Sequence, residues 1–290
     1  MKNQKTKTCD KTLAIVTKTN AKNHDFANKK ILGLTSIEWI TLRVGSLFKR
    51  VVCQNDWGND KNCVYVGWDN TLVDRHTLFC DGGTRLCSET FAHVQATLQS
   101  FVLDCLVAKG VVLHSRQGLH VDYTADIQSG VEIFAPNVVC GKTEIKSGTI
   151  VYPYCFLQNC HVGKNVSVGP FATIRPGCVV GDNCRIGNFV EVKNSVVKND
   201  VKIAHHAYVG DAQVGCGVNV GCGVVFANYD GKTKHKTVVG DNCFLGCNSN
   251  LVAPLCIGDG SFVAAGTTVT KDVGAGSFVI GRTRQSVKDL

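Results

Sequence analysis

Two basic residues eighteen positions apart, Arg175 and Lys193, have a spacing that suits anion binding. Each directly follows an aliphatic residue of a six-residue repeat, so both are expected on the same outer face of neighbouring turns. Two cations about 5 Å apart repel each other by about 1–3 kcal/mol. An anion that bridges them removes this repulsion, and a phosphate fits best. The alternative is that both side chains point apart into solvent.

A second column of residues contains one imidazole. His205, Cys222, Cys247 and Ala265 each fall two residues after an aliphatic repeat position. The small side chains predict a thin groove with a neutral base at one end, which suits a pantetheine arm whose thioester lies beside His205. The alternative is a surface histidine with no chemical role.

A lysine-rich loop interrupts the repeats between residues 227 and 238. Its central residues are Asn228-Tyr229-Asp230-Gly231-Lys232-Thr233-Lys234-His235-Lys236. The basic side chains can reach a bound phosphate. A loop that is merely exposed and soluble is the alternative.

These residues are positioned by a repeat of six residues. Its aliphatic or aromatic positions, with three steps of five and one insertion, are Ile127, Ile133, Val139, Ile145, Val151, Leu157, Val162, Val168, Ile174, Val180, Ile186, Val192, Val197, Ile203, Val209, Val214, Val220, Phe226, Val239, Leu245, Leu251, Ile257, Val263 and Val269. So short a repeat cannot bury its own apolar face, so the repeats must stack. Three hexads make one triangular coil, which predicts a mainly β protein, a parallel β-helix of about eight coils. In a β-sandwich, apolar and polar residues would alternate with a period of two, and the six-residue spacing would not persist over so many repeats.

Several of the 16 cysteines fit the same register. Cys155, Cys178, Cys184 and Cys243 fall four residues after an aliphatic position, where a small inward side chain is needed. We predict that they pack in the core. No C-x-x-C pair occurs, so neither a zinc ribbon nor any other metal site is predicted.

The segments before and after the repeats are less informative. Residues 1–30, with eight lysines, are predicted to be a basic tail, and residues 31–87 a small α/β segment. Apolar residues at helical spacing from Phe91 to Leu106, followed by Gly110, predict a helix over 88–110. The repeat domain is expected at 111–282 and a C-terminal tail at 283–290.

Composition and charge argue against two kinds of partner. The net charge of +8 comes mostly from the basic tail, and no aromatic residues alternate with the basic ones, so no nucleic acid is predicted. No stretch approaches the roughly 20 apolar residues of a membrane span. Without an export signal, we predict a cytoplasmic protein with reduced thiols and no membrane partner.

A set of short runs is more specific than the hexads. The runs are Gly169-Pro170-Phe171-Ala172, Arg175-Pro176-Gly177, Gly187-Asn188-Phe189-Val190-Glu191, Tyr208-Val209-Gly210-Asp211-Ala212, Asn228-Tyr229-Asp230-Gly231, Leu251-Val252-Ala253-Pro254 and Ala264-Ala265-Gly266-Thr267-Thr268-Val269-Thr270. With them, residues 168–282 resemble the acetyltransferase domain of the bacterial bifunctional N-acetylglucosamine-1-phosphate uridylyltransferase/glucosamine-1-phosphate acetyltransferase family. The 88–110 helix and Gly110-Val111-Val112-Leu113 resemble that family's connector into its β-helix.

The resemblance implies a left-handed β-helix that forms a homotrimer with active sites shared between subunits. It implies transfer of acetyl from acetyl-CoA to the 2-amino group of glucosamine 1-phosphate, giving N-acetylglucosamine 1-phosphate for UDP-GlcNAc synthesis, without a metal. His205 is then the general base, and the sugar phosphate is bound by Arg175, Lys193, Tyr208, Asn219 and Lys234. Acetyl-CoA is contacted by Cys222, Asn228, Tyr229, Cys247, Ala265 and Arg282. The N–H of Cys222 would stabilise the oxyanion, and Glu191 would orient His205.

Two departures from the family pattern affect these expectations. Cys222 and Cys247 stand where the family usually has alanine and serine, which narrows the groove or makes it sensitive to thiol oxidation. Upstream, the family's uridylyltransferase half exceeds 200 residues and opens with a Gly-rich loop, whereas here residues 31–87 look like a vestige of it without that loop. Because backbone amides to cradle a triphosphate are missing, uridylyltransferase activity is predicted to be absent.

Three other functions remain as alternatives. A metal-dependent hydratase of the carbonic anhydrase type needs three converging histidines, and His161 and His235 are poorly spaced to complete a set with His205 and His206. An inactive trimeric scaffold is the second alternative. Acetylation of a different amino sugar phosphate is the third.

Overall fold

The computed structural model describes the chain in several segments. Upstream it describes the backbone of six strands, which are Cys9–Val16, Lys30–Ile31, Leu34–Thr35, Phe48–Gln54, Cys63–Val66 and Leu72–Val73. From Ser88 the description is continuous to Lys288, with side chains continuous from Gln99. The chain divides into two compact units, Met1–Phe101 and Val102–Leu290. No helix in the described part is both long enough and apolar enough to cross a membrane.

The first unit contains a four-stranded sheet with the strand order 48–54, 9–16, 63–66, 72–73. Cys9–Val16 pairs in parallel with Phe48–Gln54 and with Cys63–Val66. This strand lies inside the segment predicted to be a tail, so that prediction is wrong for residues 9–16. The reason is that the partners of Cys9–Val16 lie about 40 and 50 residues further along the chain, and local sequence does not reveal such pairing.

A helix covers Ser88–Ala108, where the sequence predicts one over 88–110. Its last turns bury Val102, Leu103 and Leu106, which share one face because Leu106 follows Val102 by four residues and Leu103 by three. Gly110 ends the helix with a φ of 94°. The N–H groups of Gly110 and Val111 donate to the carbonyls of Val107 and Leu106 at 3.0 Å, which is the hydrogen-bond pattern of a Schellman motif.

The second unit is a β-helix with three long parallel sheets, named here sheets I, II and III. Sheet I has ten strands, Val112–Leu113, Glu132–Ile133, Ile150–Val151, Ser167–Val168, Arg185–Asn188, Lys202–His205, Asn219–Val220, Phe244–Leu245, Phe262–Val263 and Phe278–Val279. Sheet II has nine, Leu119–Val121, Asn137–Cys140, Cys155–Gln158, Thr173–Ile174, Glu191–Lys193, Tyr208–Gly210, Val225–Ala227, Asn250–Val252 and Thr268–Val269. Sheet III has eight, Asp126–Ile127, Glu144–Ile145, His161–Val162, Val179–Val180, Val196–Val197, Ala212–Val214, Thr237–Val239 and Leu255–Ile257.

The repeat positions predicted from the sequence form the core of this β-helix. All 24 lie on strands and are at most 3% exposed. The four cysteines predicted to point inward, Cys155, Cys178, Cys184 and Cys243, are also buried. The hexapeptide-repeat β-helix is confirmed, and the topology is consistent with the left-handed form.

The solenoid has about nine coils rather than eight. Three strands were not among the predicted repeats, namely Val112–Leu113, Leu119–Val121 and Phe278–Val279, although Val121 lies six residues before Ile127 and is in phase with them. In the first coil Val121 comes eight residues after Leu113, and in the last coil Val279 comes ten residues after Val269. The six-step spacing fails at the first coil because its corner is two residues longer. It fails at the last coil because Val273, which bridges to Ile257 of sheet III, follows Val269 by only four residues.

The glycines that follow inward residues on sheets I and III are explained by close approach of the next coil. A Cβ on Gly221 would lie 2.7 Å from the backbone nitrogen of Cys247, and one on Gly187 would overlap the carbonyl oxygen of Ala204. On sheet II the equivalent positions of neighbouring coils include Arg175 and Lys193. Sheet II is therefore the face on which residues after the inward position project functional side chains.

Candidate functional site

Three cations lie together on the outer face of sheet II. Arg175 and Lys193 follow Ile174 and Val192, which pair in register on neighbouring coils, as the sequence predicts. Lys234 comes from the loop between sheets II and III and contacts Lys193. We call Arg175, Lys193, Tyr208 and Lys234 the basic cluster; Glu191, Asp211 and Asn228 surround it.

Within the basic cluster, Arg175 is paired with a carboxylate. Its Nη1 lies 2.9 Å from Oε1 of Glu191 on the next coil, and both side chains are partly exposed. Glu191 was expected to orient His205, and the structure shows it bound to Arg175 instead. Within one strand of sheet II, Glu191 lies two residues before Lys193, so it brings negative charge to the edge of the cluster.

Within the cluster, the two lysines interact directly. Direct side-chain contact with Lys193, together with charge repulsion, lowers the pKa of Lys234. Sequence register predicted repulsion between Arg175 and Lys193, but Arg175 is ion-paired with Glu191, and the structure shows the repulsion between Lys193 and Lys234. A bound anion would relieve this repulsion.

Asp211 balances part of this charge and holds the neighbouring amides. It accepts hydrogen bonds from the side-chain nitrogens of Asn194 and Asn228. Partial burial raises its pKa, but the two hydrogen bonds and the charges of Lys193 and Lys234 outweigh burial, so the pKa of Asp211 is lowered. The cluster thus has three cations against the two carboxylates of Glu191 and Asp211, and it keeps a net positive charge.

Tyr208 lies across Gly210 on the same strand. A Cβ at Gly210 would come within 2.6 Å of Cζ of Tyr208 and 2.8 Å of Nδ2 of Asn228. The tyrosine hydroxyl is 3.4 Å from Nδ2 of Asn228, which is 8% exposed. Glycine at position 210 therefore makes room for the ring, a role that sequence reasoning missed.

The lysine-rich loop has its own internal bonds. Tyr229 and Lys234 form an antiparallel bridge, and Oδ1 of Asp230 accepts the N–H groups of Lys232 and Thr233. Nε2 of His235 lies 2.7 Å from Oδ2 of Asp230, and this contact is the largest cause of the lowered pKa of Asp230. The loop is therefore a closed turn that holds Lys234 next to Lys193.

His205 lies at the end of a sheet I strand, where the chain turns toward sheet II. It is exposed, and its Nδ1 lies 2.6 Å from Oδ1 of Asn188, its register partner on the preceding coil. An amide oxygen only accepts hydrogen bonds, so Nδ1 carries the hydrogen in the neutral ring and Nε2 carries the free lone pair. Sequence reasoning missed Asn188, although its distance of one coil from His205 could have identified it.

The column predicted to start at His205 follows the register of sheet I. Ile203, Val220, Leu245 and Val263 pair on successive coils, so residues 205, 222, 247 and 265 fall in line. Cys222, Cys247 and Ala265 are all exposed. Arg282 lies beside the far end, where a Cβ on Gly266 would be 3.9 Å from its Cδ.

The remaining predicted residues lie apart from these two groups or at their edges. Asn219 lies on sheet I between Lys202 and Phe244, not on sheet II with the basic cluster. Tyr229 is 60% exposed, and its hydroxyl donates to the carbonyl of Gly231. Asn228 uses its amide nitrogen within the chain, on Tyr208 and Asp211.

A shallow cavity of about 300 Å³ lies next to the basic cluster. Among its lining residues are Asn194, Val196, Asp211, Gln213, Lys234 and Lys236. Its volume is at the lower end of the range for ligand sites. Within the described residues, no three His, Cys, Asp or Glu side chains are grouped so that they could hold a metal ion.

If His205 is the general base that the resemblance implies, replacing Asn188 by alanine lowers kcat without changing the fold. Without the amide oxygen, the imidazole of His205 loses the hydrogen bond that fixes its tautomer and orientation. A smaller fraction of the protein molecules then has Nε2 of His205 free and correctly oriented. Steady-state kinetics should show a fall in kcat larger than any rise in KM, and Asn188→Asp should recover part of the loss. Equal kcat for Asn188→Ala and wild type would contradict this role.

Comparison with known proteins identifies the repeats. The family described as bacterial transferase hexapeptide (six repeats) matches residues 159–194 and 236–271. These two segments are similar to bacterial transferase hexapeptide repeats. The matched segments include Arg175 and Lys193 in the first and Cys247 and Ala265 in the second.

Curated relatives extend this likeness over most of the repeat domain. The chain is 43% identical over 192 residues to the bifunctional protein GlmU of Clostridium novyi, which covers 61% of this chain and 42% of the relative. It is 42% identical over 233 residues to the GlmU of Thermoanaerobacter pseudethanolicus, at 72% of this chain and 51% of the relative. The chain therefore spans about half the length of the curated relatives it matches.

Among solved structures, Francisella novicida UDP-N-acetylglucosamine acyltransferase is similar over 56% of this chain and 62% of its own. The identity is 18% and the TM-score is 0.37. This likeness is too distant to bear on function.

Proposed function

We propose that the hexapeptide domain transfers the acetyl group of acetyl-CoA to the 2-amino group of glucosamine 1-phosphate. The observation that carries this proposal is the contact between Lys193 and Lys234 beside Arg175, which creates a site for a dianion. The resemblance of the surrounding motifs supplies the identity of the sugar. Likeness to the GlmU proteins supports the same assignment.

The basic cluster binds the 1-phosphate of the sugar. Lys193 and Lys234 contribute ammonium groups, and Arg175 contributes a guanidinium held by Glu191. Charge-assisted hydrogen bonds to a phosphate are roughly twice as strong as neutral ones, so this end of the substrate supplies most of its affinity. Tyr208, fixed over Gly210, orients the sugar ring.

His205 acts as the general base on the amino group. Its Nε2 takes a proton from the 2-ammonium, and the resulting free amine attacks the carbonyl carbon of the thioester. The tetrahedral oxyanion is stabilised by a backbone N–H in the groove, for which Cys222 is the candidate. As the tetrahedral intermediate collapses, the attacking nitrogen gives up a second proton to solvent and the C–S bond breaks. The sulfur of CoA leaves and takes up the proton that His205 holds.

The groove along sheet I holds acetyl-CoA. Its exposed column of Cys222, Cys247 and Ala265 leaves space for the pantetheine arm, and Arg282 at the far end supplies a charge for the phosphates of the cosubstrate. Asn228 and Tyr229 contact acetyl-CoA from the loop. Holding both substrates in one groove replaces a bimolecular encounter and contributes a large part of the rate enhancement.

The placement of residues on two sheets supports a site shared between subunits of a homotrimer. Asn219 and the thioester groove lie on sheet I, whereas Arg175, Lys193 and Tyr208 lie on sheet II. Sheet I of one subunit packed near sheet II of another brings both sets to one substrate. We further propose a cytoplasmic enzyme without uridylyltransferase activity.

The proposal is tested by measuring thiol release from acetyl-CoA with glucosamine 1-phosphate as acceptor. Turnover is expected with this acceptor, and little with glucosamine, glucosamine 6-phosphate or other amino sugars. In a parallel reaction with UTP and N-acetylglucosamine 1-phosphate, no UDP-sugar should form. Absence of thiol release with every amino sugar would overturn the proposal.

Replacing Lys193 by methionine is expected to raise KM for glucosamine 1-phosphate by about 10- to 100-fold. Methionine retains the length of the side chain but loses the charged hydrogen bond to the phosphate. The matched control is Lys164→Met, because Lys164 is an exposed lysine at the corner between sheets III and I and lies outside the basic cluster. An unchanged KM in Lys193→Met would show that the phosphate binds elsewhere.

A further inference from the structure

The described cysteines range from buried to exposed. Burial raises the pKa of Cys155 and Cys184 to about 11 and that of Cys160 to about 12. Such thiols stay protonated and do not react with disulfides. Cys222 and Cys247, by contrast, are exposed.

These two exposed thiols belong to the groove assigned to acetyl-CoA. The register of sheet I aligns Cys222 with His205 on one side and with Cys247 on the other. Neighbouring strands lie about 4.8 Å apart, so the imidazole of His205 and the thiol of Cys222 start from adjacent positions. Within the described residues, no hydrogen bond involving Nε2 of His205 is found, so this atom is free to accept the thiol proton.

The same register disfavours a bond between the two cysteines. In-register parallel strands hold equivalent Cβ atoms about one strand spacing apart, roughly 4.8 Å. A disulfide needs Cβ atoms about 3.5–4.5 Å apart. Both cysteines lie two residues past paired strands, and the main chain there is fixed between coils, for example by the N–H of Asn248 donating to the carbonyl of Cys222. The backbone therefore resists closing this gap.

We propose that Cys222 is a modification site that forms a mixed disulfide with coenzyme A and thereby closes the groove. The thiolate of Cys222 attacks one sulfur of coenzyme A disulfide, a new S–S bond forms, and the S–S bond of the reagent breaks. The second coenzyme A leaves as a thiolate and takes up the proton that Cys222 lost. The disulfide is exchanged, so no further oxidant is required.

This inference rests on the proposed function, because the groove is what selects coenzyme A. A thioester that reacts beside His205 places the coenzyme A sulfur within one coil of Sγ of Cys222. The rest of the coenzyme A molecule then occupies the same groove as the cosubstrate. The modified protein therefore cannot bind acetyl-CoA until a reductant releases the adduct.

The test is intact-protein mass spectrometry after incubation with coenzyme A disulfide. Wild type should gain the mass of one coenzyme A, lose acetyl transfer in proportion, and recover both on treatment with dithiothreitol. Acetyl-CoA should slow the labelling. Glutathione disulfide at the same concentration should label at least about tenfold more slowly, because it lacks the groove-binding part.

Matched variants locate the modified thiol. Cys222→Ser should abolish labelling, whereas Cys247→Ser, one coil further from His205, and Cys256→Ser, an exposed thiol on sheet III, should both retain it. Labelling that persists in Cys222→Ser would overturn the proposal. So would equal rates with both disulfides, or a loss of two hydrogens that marks a bond between Cys222 and Cys247.

Failure of this inference is distinguishable from failure of the proposed function. The reduced wild-type protein is first measured for acetyl transfer to glucosamine 1-phosphate. Turnover together with unselective labelling would overturn only the proposed modification of Cys222. Absence of turnover with every amino sugar would overturn the proposed acetyl transfer, whatever the labelling pattern.

Discussion

Replacing His205 by alanine is expected to lower kcat by about 10²- to 10⁴-fold. The imidazole, held through Nδ1 by Asn188, is the base that frees the attacking amine. Because the side chain is exposed, its removal leaves no core cavity, and the melting temperature should stay close to that of wild type. Initial rates of thiol release at saturating acetyl-CoA and glucosamine 1-phosphate measure the effect.

The matched control for this prediction is the neighbouring histidine. His206 is also exposed but has a φ of 41°, so His206→Asn is the suitable change, because asparagine tolerates this backbone region. His206→Asn should keep most of its kcat. If His205→Ala turned over at the wild-type rate, or if both variants lost activity equally, His205 would not be the base.

Replacing Phe226 by alanine is expected to destabilise the β-helix by about 3–5 kcal/mol. Phe226 is the largest fully buried side chain in the described part of the chain, and it is the one aromatic residue among the 24 inward repeat positions. The rigid coils above and below, fixed by their backbone ladders, collapse only partly around the cavity. Urea unfolding followed by circular dichroism, at one fixed chain concentration, measures the change.

Phe278→Ala removes the same ring from an exposed position and serves as the control. Phe278 is 66% exposed and contacts only the ring of Phe262 among the aromatic residues described, at 5.5 Å between centroids. Its loss should cost no more than about 1 kcal/mol. A similar cost for the two variants would mean that the inward position of Phe226 does not determine its contribution.

Much of the fold was predictable because a hexad repeat determines which residues point inward and how successive coils stack. Each inward residue such as Ile186 or Val220 fixes the phase of the next, and an apolar face of one hexad is buried only when coils stack. The register of neighbouring coils follows by counting, so the column from His205 to Ala265 and the adjacency of Arg175 and Lys193 were available from sequence.

The prediction failed where the chain departs from this counting rule. The strand Cys9–Val16 pairs with strands about 40 and 50 residues away, and nothing in its local pattern identifies them. The corner of the first coil is longer than a regular step and that of the last coil is shorter, so the strands beyond them were missed. Assignments of the individual site residues to their substrates stay predictions, and the variants described above test them.

By itself, the sequence determined which residues share a face and a column, because main-chain hydrogen bonds between coils hold every sixth residue in a fixed phase. Only the tertiary structure decided how the long polar side chains pair: Arg175 with Glu191, Lys193 with Lys234, and His205 with Asn188 rather than Glu191. The physical reason is that side chains of this length reach several neighbours in adjacent coils. Which neighbour each one meets depends on local charge, on space such as that above Gly210, and on a loop that does not follow the repeat.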